Sequence, residues 1–148
     1  PPELVTLPGI FVQRVVKSTY PFDPKQTPQS KRRPADKPRE YAGKPALTRE
    51  GIAKRAAAVV RDGSYVNLGT GIPTMVSNFL EGRDVVLHAE NGVLGYGKMV
   101  SGDQVDPDYY NASGQYIELV PGASFFDSVT SFEMARGGHI DTVILGTY

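Results

Sequence analysis

The chain has 148 residues, of which 40% are hydrophobic and 22% charged, and its formal net charge at pH 7 is zero. This composition is typical of a soluble globular protein of about one domain. The absence of cysteine excludes disulfides, cysteine nucleophiles and thiolate metal sites. Apolar runs stay far below the roughly 20 residues of a membrane-spanning helix, and the first residues lack the basic and apolar regions of a secretory signal.

Charges and prolines are unevenly distributed along the chain. Residues 1–45 contain nine Lys and Arg against four Asp and Glu, together with nine of the twelve prolines. The remaining residues contain seven Lys and Arg against twelve Asp and Glu. We therefore predict two parts of different character. The chain begins without Met and stops just after an apolar run at residues 143–145, so we expect it to be part of a longer protein.

The first part is predicted to be extended. Residues 4–16 are interpreted as a short extended segment, and the prolines between residues 20 and 45 interrupt any helix or central strand. We interpret residues 18–47 as a Pro-rich, basic linker. We interpret the basic run at residues 31–33 as part of a solvated linker and not as a nucleic-acid contact, because acidic residues lie nearby and no aromatic residues are interleaved.

From Thr48 onwards the pattern alternates between helices and strands. Thr48 is predicted to cap a helix that ends near residue 62, and a short strand at residues 65–68 leads into a glycine-rich turn. Pro73 is predicted to open a second helix, which precedes a buried strand at residues 84–88.

The pattern continues with a loop-rich stretch, a strand, a helix and a last strand. Five glycines indicate loops over residues 91–115, and a strand at 116–120 is predicted to end at residues 121–122. Ser128 is predicted to cap the next helix, and a final strand occupies residues 141–145. Helices alternating with short apolar strands predict an α/β fold, with an open and mostly parallel sheet covered by helices.

Ligands of an open parallel sheet bind beyond the carboxyl ends of its strands. That rule selects four loops, at residues 69–71, 89–92, 121–124 and 146–147. Only the second contains a carboxylate, close behind a predicted buried strand, and that carboxylate is Glu90. Partial desolvation at the edge of an apolar interior would make it a stronger nucleophile, and nearby backbone N–H groups could stabilise an oxyanion.

A purely structural interpretation of the same stretch stays open. Asn91-Gly92 is the commonest pair in a two-residue hairpin turn, so residues 84–96 would form only a strand, a turn and a strand. The loop at residues 69–71 is similar to an anion-binding turn before a helix, but it lacks the Lys of a P-loop and the third Gly of a dinucleotide site.

The two histidines do not indicate a metal site. His88 and His139 have no matched spacing, so we interpret them as packed or capping residues. Ser124 lacks the Gly-x-Ser-x-Gly context of a hydrolase nucleophile.

Four ordered stretches carry a resemblance to a known family. They are SYVNLGTG at residues 64–71, AENGVLGY at 89–96, LVPGASFF at 119–126 and SFEMARGGHIDTVILG at 131–146. Together they resemble the start of the β half of the class I coenzyme A transferases, which include the succinyl-CoA:3-oxoacid and 3-oxoadipate enzymes. The opening stretch LVTLPGIFVQRVVK resembles the end of the family's α half.

This resemblance implies a division of the chain into three parts. Residues 1–17 would be the tail end of the α half, residues 18–47 the linker, and residues 48–148 the N-terminal part of the β-half catalytic domain. The fold it implies is the open α/β sheet that the family shares with certain sugar-phosphate isomerases, incomplete in these residues.

The resemblance also implies a nucleophile and its supporting residues. In the family, the glutamate of an (S/A)-E-N-G motif attacks an acyl-CoA thioester and becomes a glutamyl-CoA thioester, and this glutamate matches Glu90, with Ala89 where Ser is common. Residues implied to line the active site, support the oxyanion or hold the glutamate's loop are Asn67, Gly69, Gly71, Asn91 and Gly92.

The implied substrates are coenzyme A thioesters and short-chain or 3-oxo carboxylic acids, with no bound cofactor and no metal. The implied partners are the remainder of the same chain and further copies in a homo-oligomer, without nucleic acid or membrane. The implied location is the bacterial cytoplasm, or the mitochondrial matrix in a eukaryote, and the 148 residues alone are expected to be inactive. Two alternatives stay open: a related acyl-CoA hydrolase or isomerase on the same scaffold, and a non-catalytic assembly module.

Overall fold

The computed structural model describes residues 14–17, 19 and 40–146. Residues 14–17 have no regular secondary structure and are exposed. Residues 4–13 of the predicted extended segment and most of the predicted linker therefore lie outside the described residues, and the domain boundaries stay predictions. At the end of that linker, Glu40–Tyr41 (β1) and Lys44–Pro45 (β2) form a small antiparallel hairpin.

Beyond this hairpin, helices and strands alternate along the chain. In order they are α1 (Arg49–Ala57), β3 (Ser64–Leu68), a 3₁₀ helix (Pro73–Phe79), β4 (Val85–Ala89), β5 (Val93–Met99), a 3₁₀ turn (Gly102–Gln104), β6 (Ile117–Phe125), α2 (Ser128–Arg136) and β7 (Thr142–Ile144).

Five strands form one open sheet in the spatial order β6-β5-β4-β3-β7. β3 pairs in parallel with both β4 and β7, whereas β5 runs antiparallel to both β4 and β6. Only β5 is therefore reversed relative to the other four strands. This confirms the prediction of an α/β fold with an open, mostly parallel sheet and flanking helices.

One face of the sheet is buried against α1 and the 3₁₀ helix. Val66 of β3 and Leu87 of β4 are register partners on this face, and both are buried. Ala53 of α1 and Val76 of the 3₁₀ helix belong to the same apolar cluster. Full burial of a side chain the size of Val or Leu contributes about 1.5–3 kcal/mol, so this face is the main source of stability.

α2 packs against part of the opposite face of the sheet, where Tyr65 and Val143 stay exposed. Side chains alternate between the two faces along a strand, so Asn67 and His88 point away from the apolar cluster. The hydroxyl of Ser131 on α2 lies 3.1 Å from the His88 ring. Polar groups of β3, β4 and α2 therefore meet on this second face.

Both α-helices begin at a residue whose side chain caps the first turn. Thr48 Oγ1 accepts from the Gly51 N–H at 3.0 Å, which confirms the predicted cap of α1. α2 is capped one residue earlier than predicted, because Asp127 rather than Ser128 accepts from the Thr130 N–H, at 2.9 Å. This backbone hydrogen bond to the ionised carboxylate lowers the pKa of Asp127.

Two predictions about the second half of the chain are wrong. Residues 93–99 form β5 rather than a loop, and β6 continues to Phe125 instead of ending at residues 121–122. The glycines of β5 allow β6 to approach, since a Cβ on Gly95 would lie 3.1 Å from Ala123 Cα. Pro121 is tolerated because β6 is an edge strand, where a missing backbone N–H need not interrupt the sheet.

The helix predicted from Pro73 is present, but it is a 3₁₀ helix. The hydroxyls of Thr74 and Ser77 each donate to the carbonyl oxygen three residues earlier, at 2.8 and 2.9 Å. These side-chain bonds compete with α-helical bonding and favour the tighter turn. Within residues 14–17, 19 and 40–146, no helix is long and apolar enough to cross a membrane.

Candidate active site

Glu90 lies in the tight turn that joins β4 to β5. β4 ends at Ala89, β5 begins at Val93, and the two strands are antiparallel neighbours. The alternative of a strand, a turn and a strand is therefore right about local structure, although the turn has three residues instead of two. The Glu90 side chain is half-buried, so a hairpin turn and a partly desolvated carboxylate coexist here.

Backbone hydrogen bonds hold this turn on both sides. The Gly92 N–H donates to the Ala89 carbonyl at 3.0 Å, and the Gly92 carbonyl accepts from the Phe126 N–H at 3.1 Å. Gly92 has a φ of 108°, and a Cβ there would overlap the Phe126 carbonyl oxygen. Only glycine fits this combination of backbone conformation and close approach.

A pocket of about 360 Å³ opens where the carboxyl ends of β3, β4 and β7 meet. Its apolar wall is formed by α2 and the end of β7, through Phe132, Ala135, Val143 and Leu145. The polar part of its lining comes from the strand ends and α2, through Asn67, Thr70, His88, Glu90 and Ser131. Glu90 is the only carboxylate that lines it among the described residues.

Two predicted supporting residues share this pocket with Glu90. Asn67 is the next-to-last residue of β3, and Gly69 follows the end of the same strand. The Gly69 N–H donates to the Ile144 carbonyl at 3.0 Å, and a Cβ on Gly69 would lie 3.1 Å from the Leu145 side chain. Gly69 therefore allows the end of β7 to close one side of the pocket.

The other three predicted residues lie outside the pocket lining. The Gly71 N–H donates to Ser113 Oγ at 3.0 Å, on an exposed turn. Asn91 and Gly92 border a separate depression of about 100 Å³, and the Asn91 amide donates to the Tyr110 carbonyl at 2.9 Å. Asn91 and Gly92 thus lie where they brace the turn that carries Glu90.

Oxyanion support by the predicted glycines stays a prediction. The N–H groups of Gly69, Gly71 and Gly92 each already donate to another atom of the protein. Any of them would have to give up this bond before it could stabilise a negative charge in the pocket.

A buried hydrogen-bonded chain runs beneath Glu90. Asn67 Nδ2 lies 2.8 Å from His88 Nδ1 and 3.4 Å from the His88 carbonyl oxygen. On the other side of the ring, Ser131 Oγ lies 3.1 Å from His88 Nε2. His88 is 1% exposed and stacks on Phe126, with 5.7 Å between ring centroids. Burial lowers the pKa of the imidazole, which favours the neutral ring.

A second buried polar group lies on the other side of the sheet. Tyr96 of β5 is buried, and its hydroxyl has no hydrogen-bond partner among the described residues. Burial raises the pKa of this hydroxyl, and the negative charge of Glu90 raises it further. Tyr96 therefore stays protonated at neutral pH.

Sequence reasoning missed several residues of the pocket, among them His88, Ser131 and Phe132. His88 is predicted only as a packed or capping residue, and it is packed, but it also borders the pocket. Ser131 and Phe132 reach the pocket because α2 lies against the sheet at His88. No spacing along the chain signals these contacts, since Ser131 and His88 are 43 residues apart. The predicted ligand loop at residues 121–124 lies within β6 and does not line the pocket.

The described residues contain no group of three or more His, Asp and Glu side chains that could hold a metal ion. The chemical groups gathered in the pocket are one carboxylate, neutral hydrogen-bonding side chains and an apolar wall. Such a set suits covalent catalysis by a carboxylate in a partly dry site.

Comparison with known proteins places these residues among homologous enzymes. The family model described as Coenzyme A transferase matches residues 49–148. One of the subunits of the succinyl-CoA:3-ketoacid coenzyme A transferase of Helicobacter pylori is 53% identical over 98 residues, covering 66% of this chain and 47% of that protein. The corresponding subunit of the 3-oxoadipate CoA-transferase of Pseudomonas putida is 45% identical over 102 residues, covering 69% and 48%.

A eukaryotic relative matches a longer part of the chain. The human mitochondrial succinyl-CoA:3-ketoacid coenzyme A transferase 2 is 43% identical over 148 residues, which cover 99% of this chain and 28% of that protein. The chain spans about half the length of the two bacterial relatives.

Proposed function

Because the chain belongs to the coenzyme A transferase family, we propose that it carries the nucleophile of an enzyme that moves coenzyme A between an acyl-CoA and a free carboxylic acid. The nucleophile is the carboxylate of Glu90. The observation that carries this proposal is the position of Glu90, which is half-buried and lines the pocket at the carboxyl ends of three strands.

The first half of the reaction transfers coenzyme A to the enzyme. A carboxylate oxygen of Glu90 attacks the thioester carbonyl, the C–S bond breaks, and coenzyme A leaves as a thiolate. The product is a mixed anhydride between the acyl group and Glu90. The thiolate then attacks the glutamyl carbonyl, the anhydride C–O bond breaks, and the donor acid leaves, so that Glu90 becomes a glutamyl-CoA thioester.

The second half repeats these steps with the acceptor. The acceptor carboxylate attacks the glutamyl thioester and releases the coenzyme A thiolate, which leaves a new mixed anhydride on Glu90. The thiolate attacks the acceptor's carbonyl, and Glu90 is released as a free carboxylate. Each bond that forms is matched by one that breaks, and no redox partner or net proton is needed.

The composition of the pocket supports this sequence over hydrolysis. Both the anhydride and the glutamyl thioester are hydrolysed if water reaches them, so the site must limit water. Phe132, Ala135 and Leu145 form an apolar wall beside Glu90. When a bound substrate covers it, such a wall restricts water at the reacting carbonyl and strengthens electrostatic interactions there.

The names of the relatives favour a substrate class. Both bacterial relatives act, by name, on a 3-ketoacid or on 3-oxoadipate, and each of these is a 3-oxo acid. We therefore propose a 3-oxo acid as one of the two carboxylic acids exchanged.

The extent of the matches favours a single chain that contains both halves of the enzyme. The two bacterial relatives match 98 and 102 residues, whereas the human relative matches 148, including the Pro-rich part. Residues 18–47 would then be the linker between the halves. The remainder of this longer chain would supply the other contacts to coenzyme A.

The test is the intact mass of the complete enzyme after mixing with an acyl-CoA in the absence of acceptor acid, followed by peptide mapping. We expect a coenzyme A adduct on the peptide that contains Glu90, and none in Glu90→Gln. The matched control is Glu133→Gln, which removes an exposed carboxylate from α2 and should leave the adduct intact. Absence of an adduct in a folded enzyme that binds coenzyme A, or steady hydrolysis of the thioester instead, would contradict the proposal.

A further inference from the structure

The buried chain of Asn67, His88 and Ser131 connects three elements that form the pocket. Asn67 belongs to β3, His88 to β4 and Ser131 to α2, and each is less than 10% exposed. His88 is two residues before Glu90, and the intervening Ala89 is fully buried. These three hydrogen-bonded side chains therefore lie next to the turn that carries the nucleophile.

The hydrogen bonds favour one tautomer of His88. The Asn67 amide nitrogen is a donor only, and it lies within bonding distance of both the His88 ring and the His88 carbonyl oxygen. This orientation of the amide requires Nδ1 to be the acceptor. Nε2 must then carry the proton of the neutral ring, and it donates to Ser131 Oγ.

The ring is also fixed by contacts that involve no hydrogen bond. Phe126 stacks on His88 with an interplanar angle of 16°. The Phe126 N–H donates to the Gly92 carbonyl in the turn that carries Glu90. The same aromatic residue thus contacts the imidazole with its ring and holds the turn with its backbone.

From this geometry, and resting on the proposed function of Glu90, we propose that His88 is a positioning residue. As the neutral Nε2–H tautomer, it links Asn67 on β3 to Ser131 on α2. These links fix the end of β4, and with it the Glu90 carboxylate, at the distance from the apolar wall that the attack on the thioester requires. In this role His88 acts through the position of Glu90 and transfers no proton.

The expected effect is on the chemical step and not on binding. A displacement of a nucleophile by about 1 Å is enough to slow a reaction by roughly 100-fold, whereas under the proposed function the other contacts to coenzyme A come from the remainder of the complete enzyme. Loss of the hydrogen bond between Ser131 on α2 and His88 should therefore slow acylation of Glu90 by about tenfold or more. The affinity for coenzyme A should change by less than about twofold.

Ser131→Ala in the complete enzyme is the first test variant, because it removes one hydroxyl and leaves His88 and Asn67 in place. Its matched control is Ser77→Ala. Ser77 is similarly buried and lies in the 3₁₀ helix on the other face of the sheet, and its hydroxyl makes one hydrogen bond, to the Thr74 carbonyl at 2.9 Å. Both variants should lower the melting temperature by a similar amount.

The measurement is the single-turnover rate of adduct formation at saturating acyl-CoA, together with the dissociation constant for coenzyme A. We expect slow acylation in Ser131→Ala and the wild-type rate in Ser77→Ala. Equal, wild-type rates in both variants would overturn the proposal. If the wild-type enzyme itself forms no adduct, it is the proposed function of Glu90 that fails.

A second measurement tests the tautomer without relying on activity. Nitrogen-15 labelling of histidine in the complete enzyme should reveal a ring with an unprotonated Nδ1 and a protonated Nε2, and this signal should disappear in His88→Phe. The opposite tautomer, or a doubly protonated ring at neutral pH, would overturn the proposal.

Discussion

His88 shows how a single residue in the core can carry a pH dependence. Protonation of the ring would place an N–H on Nδ1, opposite the Asn67 amide donor, and would add a charge in a buried position. The folded protein therefore disfavours the imidazolium, and burial lowers the pKa of His88 below its ordinary value of 6.5.

This shift predicts a loss of stability in mild acid. Between pH 6.5 and the lower folded-state pKa, the unfolded chain binds more protons than the folded protein, so the free energy of unfolding falls as pH falls. The contribution of neutral His88 to the free energy of unfolding is fully present above about pH 6.5. Below that pH the free energy of unfolding falls by at most about 1.4 kcal/mol per pH unit, because one proton is involved.

The measurement is urea denaturation of the complete enzyme and of His88→Gln at pH 7.5, 6.5 and 5.5. The stability of the wild type should decrease relative to the variant as the solution is acidified, because glutamine does not titrate. A difference that stays constant over this range would mean that His88 has the same pKa in the folded and unfolded states.

At the scale of elements, the turn between β4 and β5 depends on one glycine. Gly92→Ala would combine a positive φ with an overlap between its Cβ and the Phe126 carbonyl oxygen. We expect a loss of about 3 kcal/mol or more in stability, since the backbone cannot relieve both strains, and a loss of more than about tenfold in the rate of acylation of Glu90.

Gly122→Ala is the matched control for this substitution. Gly122 has a φ of 90°, but no atom lies within 4 Å of the position its Cβ would take. The substitution Gly122→Ala should lower the stability by about 1–2 kcal/mol through backbone strain alone and leave the acylation rate unchanged. Equal effects of the two substitutions would show that the contact with Phe126 does not hold the turn.

The sequence predicts those elements whose signals are local. Thr48 caps α1 as expected, and the apolar strand at residues 85–89 lies close to its predicted bounds, because caps and apolar runs act through neighbouring residues. The sequence of β5 resembles that of a loop because it contains glycines, which are needed there to let β6 approach closely. A Cβ on Gly97 would overlap Glu118, a residue of another strand.

The candidate site is predicted only in part for the same reason. Glu90, Asn67 and Gly69 follow from strand ends and motif residues, and they share one pocket. Ser131 and Phe132 enter because α2 lies against the sheet at His88, and the partners of His88 lie 21 and 43 residues away. Contacts of this kind become visible only once the sheet order is known.

At the scale of the whole molecule, burial decreases from the middle of the sheet to its edges. Val66, Leu68 and Ala89 in the central strands β3 and β4 are fully buried. β7 is an edge strand of three residues, and Leu145 just beyond it is 71% exposed. The pocket therefore has a rigid base of central strands and a more exposed side of α2 and β7.

This gradient predicts the pattern of hydrogen exchange in the 148-residue chain. Amides of β3 and β4 should exchange most slowly, because their opening requires loss of the apolar cluster. Amides of β7, with a partner strand on one side only, should exchange at least about tenfold faster. Mass spectrometry of deuterated peptides would measure both, and equally slow exchange in β7 would contradict the predicted gradient.

The backbone hydrogen bonds around Gly92 also matter for protein engineering. The position of Glu90 depends on main-chain atoms of Ala89, Gly92 and Phe126, whereas the apolar wall is made of side chains on α2 and β7. A library randomised at Phe132, Ala135 and Leu145 could therefore alter the choice of acyl group while the nucleophile keeps its place. Substrate range and reactivity would then be tunable separately, a starting point for preparing new thioesters from inexpensive acids.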